Sequence, residues 1–422
     1  MHKIFVICVV FILAIGGAAR SQFTQYTAPG SAAKAPKDAA ESAQEGAENA
    51  RWKIGPLRVE PHLALSNVGY SQNVFSAPEG TTQVDDFRAT LGAGLAGYLR
   101  LGSKSVLSGF VGPEYSTWRD TEDLRQLGVN SGLGWFGSFN RLTLSASARS
   151  IERERLLSAE IEAPVQIAQD QVSLDTTLEI TRRLAIFAVA SDSKLRHARD
   201  IEQFVPGLDL RDLDRDDSRR LVGLELRGSD VAIRLGYETT DVDFADSDSR
   251  DNSGKGASVR LRYDRSKLNV YLSYSDLRID FDDLARPDLE RILGTANVAF
   301  RMKPKTTVTA YATDGLAFSV ISSSGIIESE YRGLALGQSL SQRLEMGAFA
   351  EVGRQTFLDD QNLGRVDDLE AFGLMIRFDL TEGATLTGQV REETWDSTID
   401  DFDRLTSSIG FGIEFGGDLL PW

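Results

Sequence analysis

The sequence predicts an all-β fold, a transmembrane antiparallel β-barrel of about 18 strands in an up-and-down meander. Apolar and polar residues alternate in repeated segments from residue 57 to residue 416, most clearly in 171–180, where Val172 and Leu174 have polar neighbours. Turn-forming residues separate the segments, and no helical run lies between them. No later stretch reaches the ~18 apolar residues of a spanning helix. A sheet that meets lipid must then close on itself, because an open edge would leave backbone groups unpaired.

Residues 1–19 are predicted to be a secretory signal peptide. Lys3 gives a positive start, residues 4–15 are apolar, and 17–19 are small residues suited to cleavage. The single cysteine of the chain, Cys8, lies in this segment. The mature chain therefore has no disulfide framework and no thiolate chemistry.

Residues 20–54 differ in composition from the rest and are rich in Ala, Lys, Glu and Ser. We expect a periplasmic N-terminal segment that is disordered or forms a short helix over 39–52. It is either a spacer, or a small plug or a contact with a periplasmic partner. A signal cleavage after Ser21 is an alternative to the one after Ala19.

Short turns and long loops alternate along residues 55–416, which we assign to the barrel, with 417–422 as a tail. Short turns are predicted at 102–104, 140–141, 181–183, 228–230, 264–266, 303–305, 341–343 and 381–383. Longer polar loops are predicted near 71–84, 119–126, 156–160, 195–216, 244–253, 281–288, 321–326, 358–365 and 397–403. Short periplasmic turns and longer external loops are typical of outer-membrane barrels. The even strand number places both termini in the periplasm.

The alternation also predicts which side chains face lipid. The predicted lipid-facing sets are Val222/Leu224/Leu226, Val231/Ile233/Leu235/Tyr237, Val259/Leu261/Tyr263, Leu268/Val270/Leu272/Tyr274, Val298/Phe300/Met302, Phe372/Leu374/Ile376/Phe378 and Ile409/Phe411/Ile413/Phe415. Charged residues alternate with them and are predicted to line the lumen: Arg234, Glu238, Arg260, Arg262, Arg301, Glu345, Glu351, Arg377, Arg391 and Glu393. A charge on the lipid face at the bilayer midplane costs about 2–4 kcal/mol, so these charges must face water.

Strand number and charge together predict a conduit. A barrel of about 16–18 strands leaves an aqueous channel, whereas eight strands fill their own interior. Arginine rows that face glutamate rows across the lumen would create a transverse field that selects solutes, and an unselective hydrated wall is the alternative. The net charge of −16 makes nucleic-acid binding unlikely to be the function class, and we expect no nucleic-acid partner.

The segment from Gly55 to Phe75 contains the elements Leu57-Arg58-Val59-Glu60-Pro61, Gly69-Tyr70 and Asn73-Val74-Phe75. It resembles the first strand of the β-barrel porin type 2 family. The Asp85-Asp86-Phe87 element before a glycine-rich strand, and Gly112-Pro113-Glu114-Tyr115-Ser116, are also similar to that family. The resemblance implies a wide outer-membrane channel that accompanies exopolysaccharide synthesis and export. The last strand ends near Phe415 and the chain at Trp422, similar to the aromatic signal read by the barrel-insertion machinery.

Acidic clusters in the predicted loops are one candidate for chemistry. They comprise Asp241/Asp243/Asp246/Asp248/Asp251 with Asn252, Asp209/Asp212/Asp214/Asp216/Asp217, Asp359/Asp360/Asp367/Asp368 and Asp400/Asp401/Asp403. Carboxylates at a spacing of two can converge on Ca²⁺, but the EF-hand pattern fails because Ala257 stands where its last ligand should be. We expect a solvated rim bridged to lipopolysaccharide by free divalent ions, with a discrete calcium site as the alternative.

Catalysis is the other candidate. After signal cleavage only His62 and His197 remain, and the predicted topology places them at opposite ends of the barrel. Ser191 and Ser193 are near His197 in sequence, but nothing there predicts a shaped pocket. We expect no enzymatic activity, no cofactor and no metal. Aromatic residues including Tyr115, Trp118 and Trp135 are interpreted as an interfacial girdle, with sugar stacking as the alternative.

The sequence thus predicts a channel-forming, porin-like protein of the outer membrane that passes polar solutes or an exported exopolysaccharide. The alternative is a non-conducting structural or adhesive surface barrel that acts through its acidic loops. Expected partners are outer-membrane lipid, lipopolysaccharide, the barrel-assembly machinery, and polysaccharide with periplasmic export machinery.

Overall fold

The structure is a computed structural model that describes residues 29–34, 39–156, 164–197, 210–283, 286–319, 325–358, 364–399 and 402–416. Its strands are β1 Trp52–Ile54, β2 Leu57–Gln72, β3 Asp86–Arg100, β4 Ser105–Trp118, β5 Gln126–Phe139, β6 Leu142–Leu156, β7 Pro164–Glu179, β8 Leu184–His197, β9 Arg215–Arg227, β10 Val231–Phe244, β11 Asn252–Arg265, β12 Leu268–Phe281, β13 Leu289–Lys303, β14 Thr306–Phe318, β15 Ile326–Ser339, β16 Leu344–Phe357, β17 Val366–Thr381, β18 Ala384–Ser397 and β19 Arg404–Gly416. One α-helix, α1 Ala39–Asn49, precedes them.

Strands β2 to β19 form a closed 18-strand antiparallel barrel. Each strand pairs with the next in sequence, and β19 pairs with β2 to complete the circle, for example Phe415 with Leu63. The short β1 turns back at Gly55 and pairs with the start of β2, beyond the end of the β19 ladder. The predicted fold class, strand number and meander are confirmed. Every predicted short turn and long loop coincides with a strand connection.

The outer surface carries an apolar belt. Leu224, Leu374 and Phe411 are 49%, 59% and 58% exposed, and they belong to sets predicted to face lipid. In the predicted set on β13, Met302 is exposed but Val298 is buried, because the cross-strand neighbours Val270 and Ala310 flank it on the same face. An outward apolar belt on a closed barrel is what a hydrocarbon solvent requires. Among the described residues, no helix has the length and apolar character needed to cross a bilayer.

The apolar face changes sides part-way along the strands. In β12, the residues from Leu268 to Tyr274 alternate with their apolar side chains outward, whereas Leu277, Ile279 and Phe281 are buried inside. The ladder with β11 is continuous across this point, so the strand itself does not slip. The outward positions beyond Tyr274 carry charges, which require polar surroundings. The barrel therefore extends beyond the lipid at its loop end and holds an apolar interior there.

Two hairpins bend inward at the same end. The β5–β6 ladder stops at the pair Ser131–Ser150, although both strands continue beyond it. The β13–β14 ladder stops in the same way at Gly294–Asp314. Beyond these points, the end of β6 pairs only with β7, and the end of β14 pairs only with β15. Their apolar side chains are buried against the inner wall, so the hairpin ends lie over the mouth of the barrel.

The described residues that precede the strands in sequence lie inside the barrel, at the end where the short turns are. A 3₁₀ turn at Ser31–Ala33 contacts β13, β14 and β15. The buried face of α1, formed by Ala43, Ala47 and the following Ala50, packs on the inward-facing Tyr98 and Phe110. Alanine suits this face because a small side chain allows the helix to approach the wall closely. The predicted signal peptide and the tail at 417–422 lie outside the described residues.

Candidate functional site

The candidate site is the lumen, and the structure places all ten predicted lumen residues on inward-facing positions of their strands. Arg234 and Glu238 are on β10, Arg260 and Arg262 on β11, Arg301 on β13, Glu345 and Glu351 on β16, Arg377 on β17, and Arg391 and Glu393 on β18. Each alternates with side chains of the outer belt. Their role in conduction stays a prediction.

A network of ion pairs covers the wall from β7 to β12. The Arg234 guanidinium donates to Glu225, at 2.5 Å, and lies 3.3 Å from Asp175. Glu238 is 1% exposed and accepts hydrogen bonds from Arg219, at 2.6 Å, and from another strand. That second donor is the Ser275 hydroxyl, at 2.8 Å, on β12. Buried charges are tolerated here because each carboxylate has a cation and a further hydrogen bond.

The wall from β16 to β19 and β2 to β6 is also charged. Glu393 is 1% exposed and paired with Arg391, two residues away on the same strand. Glu154 accepts a hydrogen bond from the Trp118 indole at 2.9 Å and lies 3.4 Å from Arg88. These pairs join residues of the same wall. Opposite charges thus cancel locally, and the field across the lumen is weaker than facing rows of opposite sign would give.

A buried apolar cluster, here called the outer cap, lies at the loop end of the lumen. It comprises Val74, Phe75, Trp118, Leu124, Val165, Ile167, Leu195, Leu210, Leu213, Val242, Phe244, Leu277, Ile279, Phe281, Leu293, Leu316, Phe318 and Ile326. The rings of Phe244 and Phe318 meet edge to face with centroids 4.6 Å apart. The inward positions beyond the lipid belt are apolar in this cluster, whereas the wet lumen itself stays a prediction. The same finding corrects the girdle interpretation for Trp118, which is 2% exposed inside the cap.

Arginines attach the cap to its surroundings. Arg250, which is 1% exposed, donates to the carbonyl oxygens of Ser319 at 3.1 Å and Asp212 at 3.2 Å. Its guanidinium also lies 5.7 Å from the centroid of the Phe244 ring. Arg215 lies over the same ring, at 5.9 Å. These contacts join the β14–β15 hairpin to the β8–β9 and β10–β11 connections, so the cap is one packed unit.

The turn end is narrowed by α1. Glu48 of the helix lies 3.3 Å from Arg100 on β3, and Glu41 lies 3.3 Å from Arg262 on β11. Seven strands lie between β3 and β11 on one side of the 18-strand circle and nine on the other, so they are on nearly opposite walls. The 11-residue helix spans about 16 Å. It packs on the wall formed by β2 to β5 and extends from there toward Arg262 on β11.

Open space remains beside the helix. One cleft of about 1070 Å³ is lined by Glu45, Gly46, Glu60 and Tyr98, together with the β17–β18 turn. A second cleft of about 420 Å³ lies toward the β3–β4 and β5–β6 turns. The helix therefore narrows the turn end of the barrel and leaves open space beside it. Sequence reasoning left this placement open, because composition alone does not fix where a short alanine-rich helix packs.

The acidic loops and histidines form other arrangements. Among the described residues, no group of three or more His, Cys, Asp or Glu side chains could hold a metal ion. Burial, followed by the charges of Asp243, Asp248 and Asp282, raises the pKa of the Asp251 carboxyl, although its hydrogen bond from the Phe244 amide acts in the opposite direction.

The two predicted histidines lie on different strands. His62 faces inward on β2, near its pairing with the end of β19. The His197 ring lies 2.8 Å from the Asp214 carboxylate, and the Ser193 hydroxyl accepts a hydrogen bond from Gln169 instead. The described geometry therefore gives no serine–histidine pair at β8.

The fold matches known outer-membrane porins at low sequence identity. A BenF-like porin from Pseudomonas fluorescens Pf-5 matches with a TM-score of 0.50 and 8% identity over 86% of this chain and 100% of that one. OpdK from Pseudomonas aeruginosa, crystallised with vanillate, matches with a TM-score of 0.49 and 9% identity over 85% and 99% of the two chains. No protein-family profile and no curated protein matches the sequence. This chain is an outer-membrane β-barrel. The likeness shows the fold, and the function is argued from the lumen.

Proposed function

We propose that this protein is an outer-membrane channel for polar solutes and that the outer cap and α1 restrict its lumen. The supporting observation is the ion-paired lumen wall between the outer cap and α1. A barrel without a conduit role has no need for buried arginines and glutamates at that height, because an apolar interior is as stable or more stable. The cap is then a gate that opens rarely, and the helix is a second constriction that limits the current whenever the cap is open.

The finer proposal is that the passenger is an exported exopolysaccharide. Its support is the resemblance of residues 55–75 to the β-barrel porin type 2 family. The Asn73-Val74-Phe75 element of that resemblance lies in the cap, where Val74 and Phe75 are buried. Asn73 holds the loop by hydrogen bonds to and from the backbone of Ala77 and by one to Leu405. A polymer that leaves the cell would pass this loop. Periplasmic export machinery and lipopolysaccharide are the partners that this proposal requires.

Planar-bilayer conductance tests the channel. We expect low conductance with rare openings for the natural sequence, and a higher open probability for Ile279→Asp. Ile279 is fully buried in the cap, so a carboxylate there must be hydrated and opens the packing. Arg278→Asp is the matched control, because Arg278 is the next residue and faces outward with a half-exposed side chain. If the folded Ile279→Asp barrel insulates as fully as the control, the channel proposal is wrong.

The second candidate is a non-conducting surface barrel that binds a partner through its external loops. The apolar cap is the observation that favours it, because a permanent cap would make the barrel a scaffold. It predicts insulation in every folded cap variant. It also predicts that exchanging the 73–85 or 245–251 connections abolishes partner binding while the barrel still inserts.

A further inference from the structure

The segment of residues 29–34, here called the strap, is docked on the lumen wall by specific hydrogen bonds. The Asn297 side-chain amide donates to two strap carbonyl oxygens, those of Ala32 at 3.0 Å and Ala33 at 2.8 Å. The Glu351 carboxylate accepts a hydrogen bond from the backbone amide of Gly30, at 3.0 Å. The wall therefore binds the strap through its backbone, at three points.

The wall residues under the strap are deeply buried. Asn297 is 2% exposed and Glu351 is 5% exposed, although both are inward-facing positions of a barrel with open space nearby. An amide and a carboxylate buried without partners would be costly, and the strap backbone satisfies both. The contact is thus a built site rather than a chance resting place of a terminal segment.

A glycine fits the strap to this wall. Gly30 has φ +81°, a conformation that side chains disfavour, and a Cβ atom built there would lie 2.7 Å from the Phe349 ring. Any larger residue would clash with the aromatic ring. Asn297, Phe349 and Glu351 are called the strap site below.

The strap and α1 together bridge the lumen. The strap contacts β13, β14 and β15, and only residues 35–38 separate it from α1, which reaches Arg262 on β11 and Arg100 on β3. The ion pairs of the helix are about half exposed to solvent, so they hold it weakly. The strap is the anchor with buried partners, and releasing it would leave the helix held by alanine packing and those weak pairs.

We infer that the strap site is a peptide-docking site whose ligand is the chain's own small-residue segment, and that docking holds the periplasmic opening narrow. The site recognises a backbone with two neighbouring carbonyls and one amide, and it excludes side chains at the position of Gly30. The gating half of this inference rests on the proposed channel function. The docking half stands independently of it.

Gly30→Ala tests the docking without altering the wall or the barrel. Gly80→Ala is the matched control, because Gly80 has the same φ of +81° with no atom within 4 Å of its added Cβ. Strap release is read by thiol labelling of Ala33→Cys, in a chain where Cys8→Ser has removed the natural cysteine. We expect labelling about tenfold faster for Gly30→Ala, the size expected when one net hydrogen bond of docking is lost, and no change for Gly80→Ala. Unchanged labelling in Gly30→Ala would overturn the site.

Two further variants separate docking from gating. Adding Phe349→Ala to Gly30→Ala removes the clashing ring and should slow the labelling again, whereas Asn297→Ala alone should accelerate it. Conductance of Gly30→Ala should rise with the labelling rate. Faster labelling with conductance unchanged in Gly30→Ala, while Ile279→Asp conducts, would refute the gating and leave the channel. Faster labelling with insulation in every variant would support the docking site and refute the channel itself.

Discussion

Phe244→Ala should loosen the outer cap, because Phe244 connects its parts. The ring is 5% exposed, packs edge to face on Phe318 and lies under the guanidinium groups of Arg215 and Arg250. Truncating a buried phenylalanine costs about 3–5 kcal/mol, which includes the cavity that remains. The edge-to-face pair accounts for about 0.5–1.5 kcal/mol of such a loss. We therefore take about 3 kcal/mol as the weakening of the closed cap.

The expected functional consequence is large if the open cap lacks these contacts. A loss of about 3 kcal/mol raises the ratio of open to closed caps about a hundredfold. Single-channel recording in planar bilayers measures that ratio as open probability. The unfolding temperature, read from the mobility shift of the heated barrel on a gel, should fall less, because the strand ladders do not include this ring.

Phe411→Ala provides the control, since Phe411 is 58% exposed on the lipid-facing side of β19. It removes the same ring from the belt and leaves the cap intact. We expect no change in its open probability. Equal behaviour of the two variants, with Phe244→Ala shown to be folded, would refute the argument that side-chain packing in the cap closes the mouth.

Three other perturbations have defined outcomes. Leu224→Arg puts a charge in the lipid belt and should cost about 2–4 kcal/mol, seen as a lower unfolding temperature in lipid, and an unchanged temperature would contradict the belt. Glu238→Gln leaves Arg219 without its carboxylate partner, so the free energy of unfolding should fall by about 1–3 kcal/mol. The reversal potential should shift in the direction of greater anion selectivity. An unchanged reversal potential would show that Glu238 lies off the ion path. The pKa of Asp251 is raised in the folded loop, so the charged form of this carboxyl group opposes folding at a pH above that pKa. Asp251→Asn removes the charge and keeps the oxygen that accepts the hydrogen bond from the Phe244 amide. This substitution should therefore stabilise the protein at neutral pH. This gain should vanish once the pH falls below the ordinary carboxyl pKa, and a gain that persists there would contradict the assignment.

The architecture could be predicted from the sequence because the alternation of side chains in each strand reflects the solvent on each face of the sheet. In β10, apolar Ile233 and Leu235 alternate with Arg234, and only a surface between hydrocarbon and water produces that pattern. Turn residues such as Asn140 and Arg141 then fixed the strand boundaries. Alternation and turn spacing therefore predicted the fold class, the strand number and the meander.

The closures were not predicted, for two different reasons. The cap is visible in the sequence as a change in the apolar alternation. The apolar residues occupy even positions up to Tyr274 and odd positions from Leu277 onward. The prediction treated each strand as having one lipid face along its whole length and so missed that signal. The strap site has no comparable signature, because Asn297 and Ala32 are 265 positions apart and meet only through the closed barrel.

The change of the apolar face along the strands determines which substitutions could open this barrel. Thirteen of the 18 residues of the outer cap lie in strands, among them Leu277, Ile279 and Phe281, and trimming the external connections would leave them in place. Shortened-loop variants, a common route to a permanently leaky porin, should here remain tight, and leakiness should require polar replacements within the strands themselves.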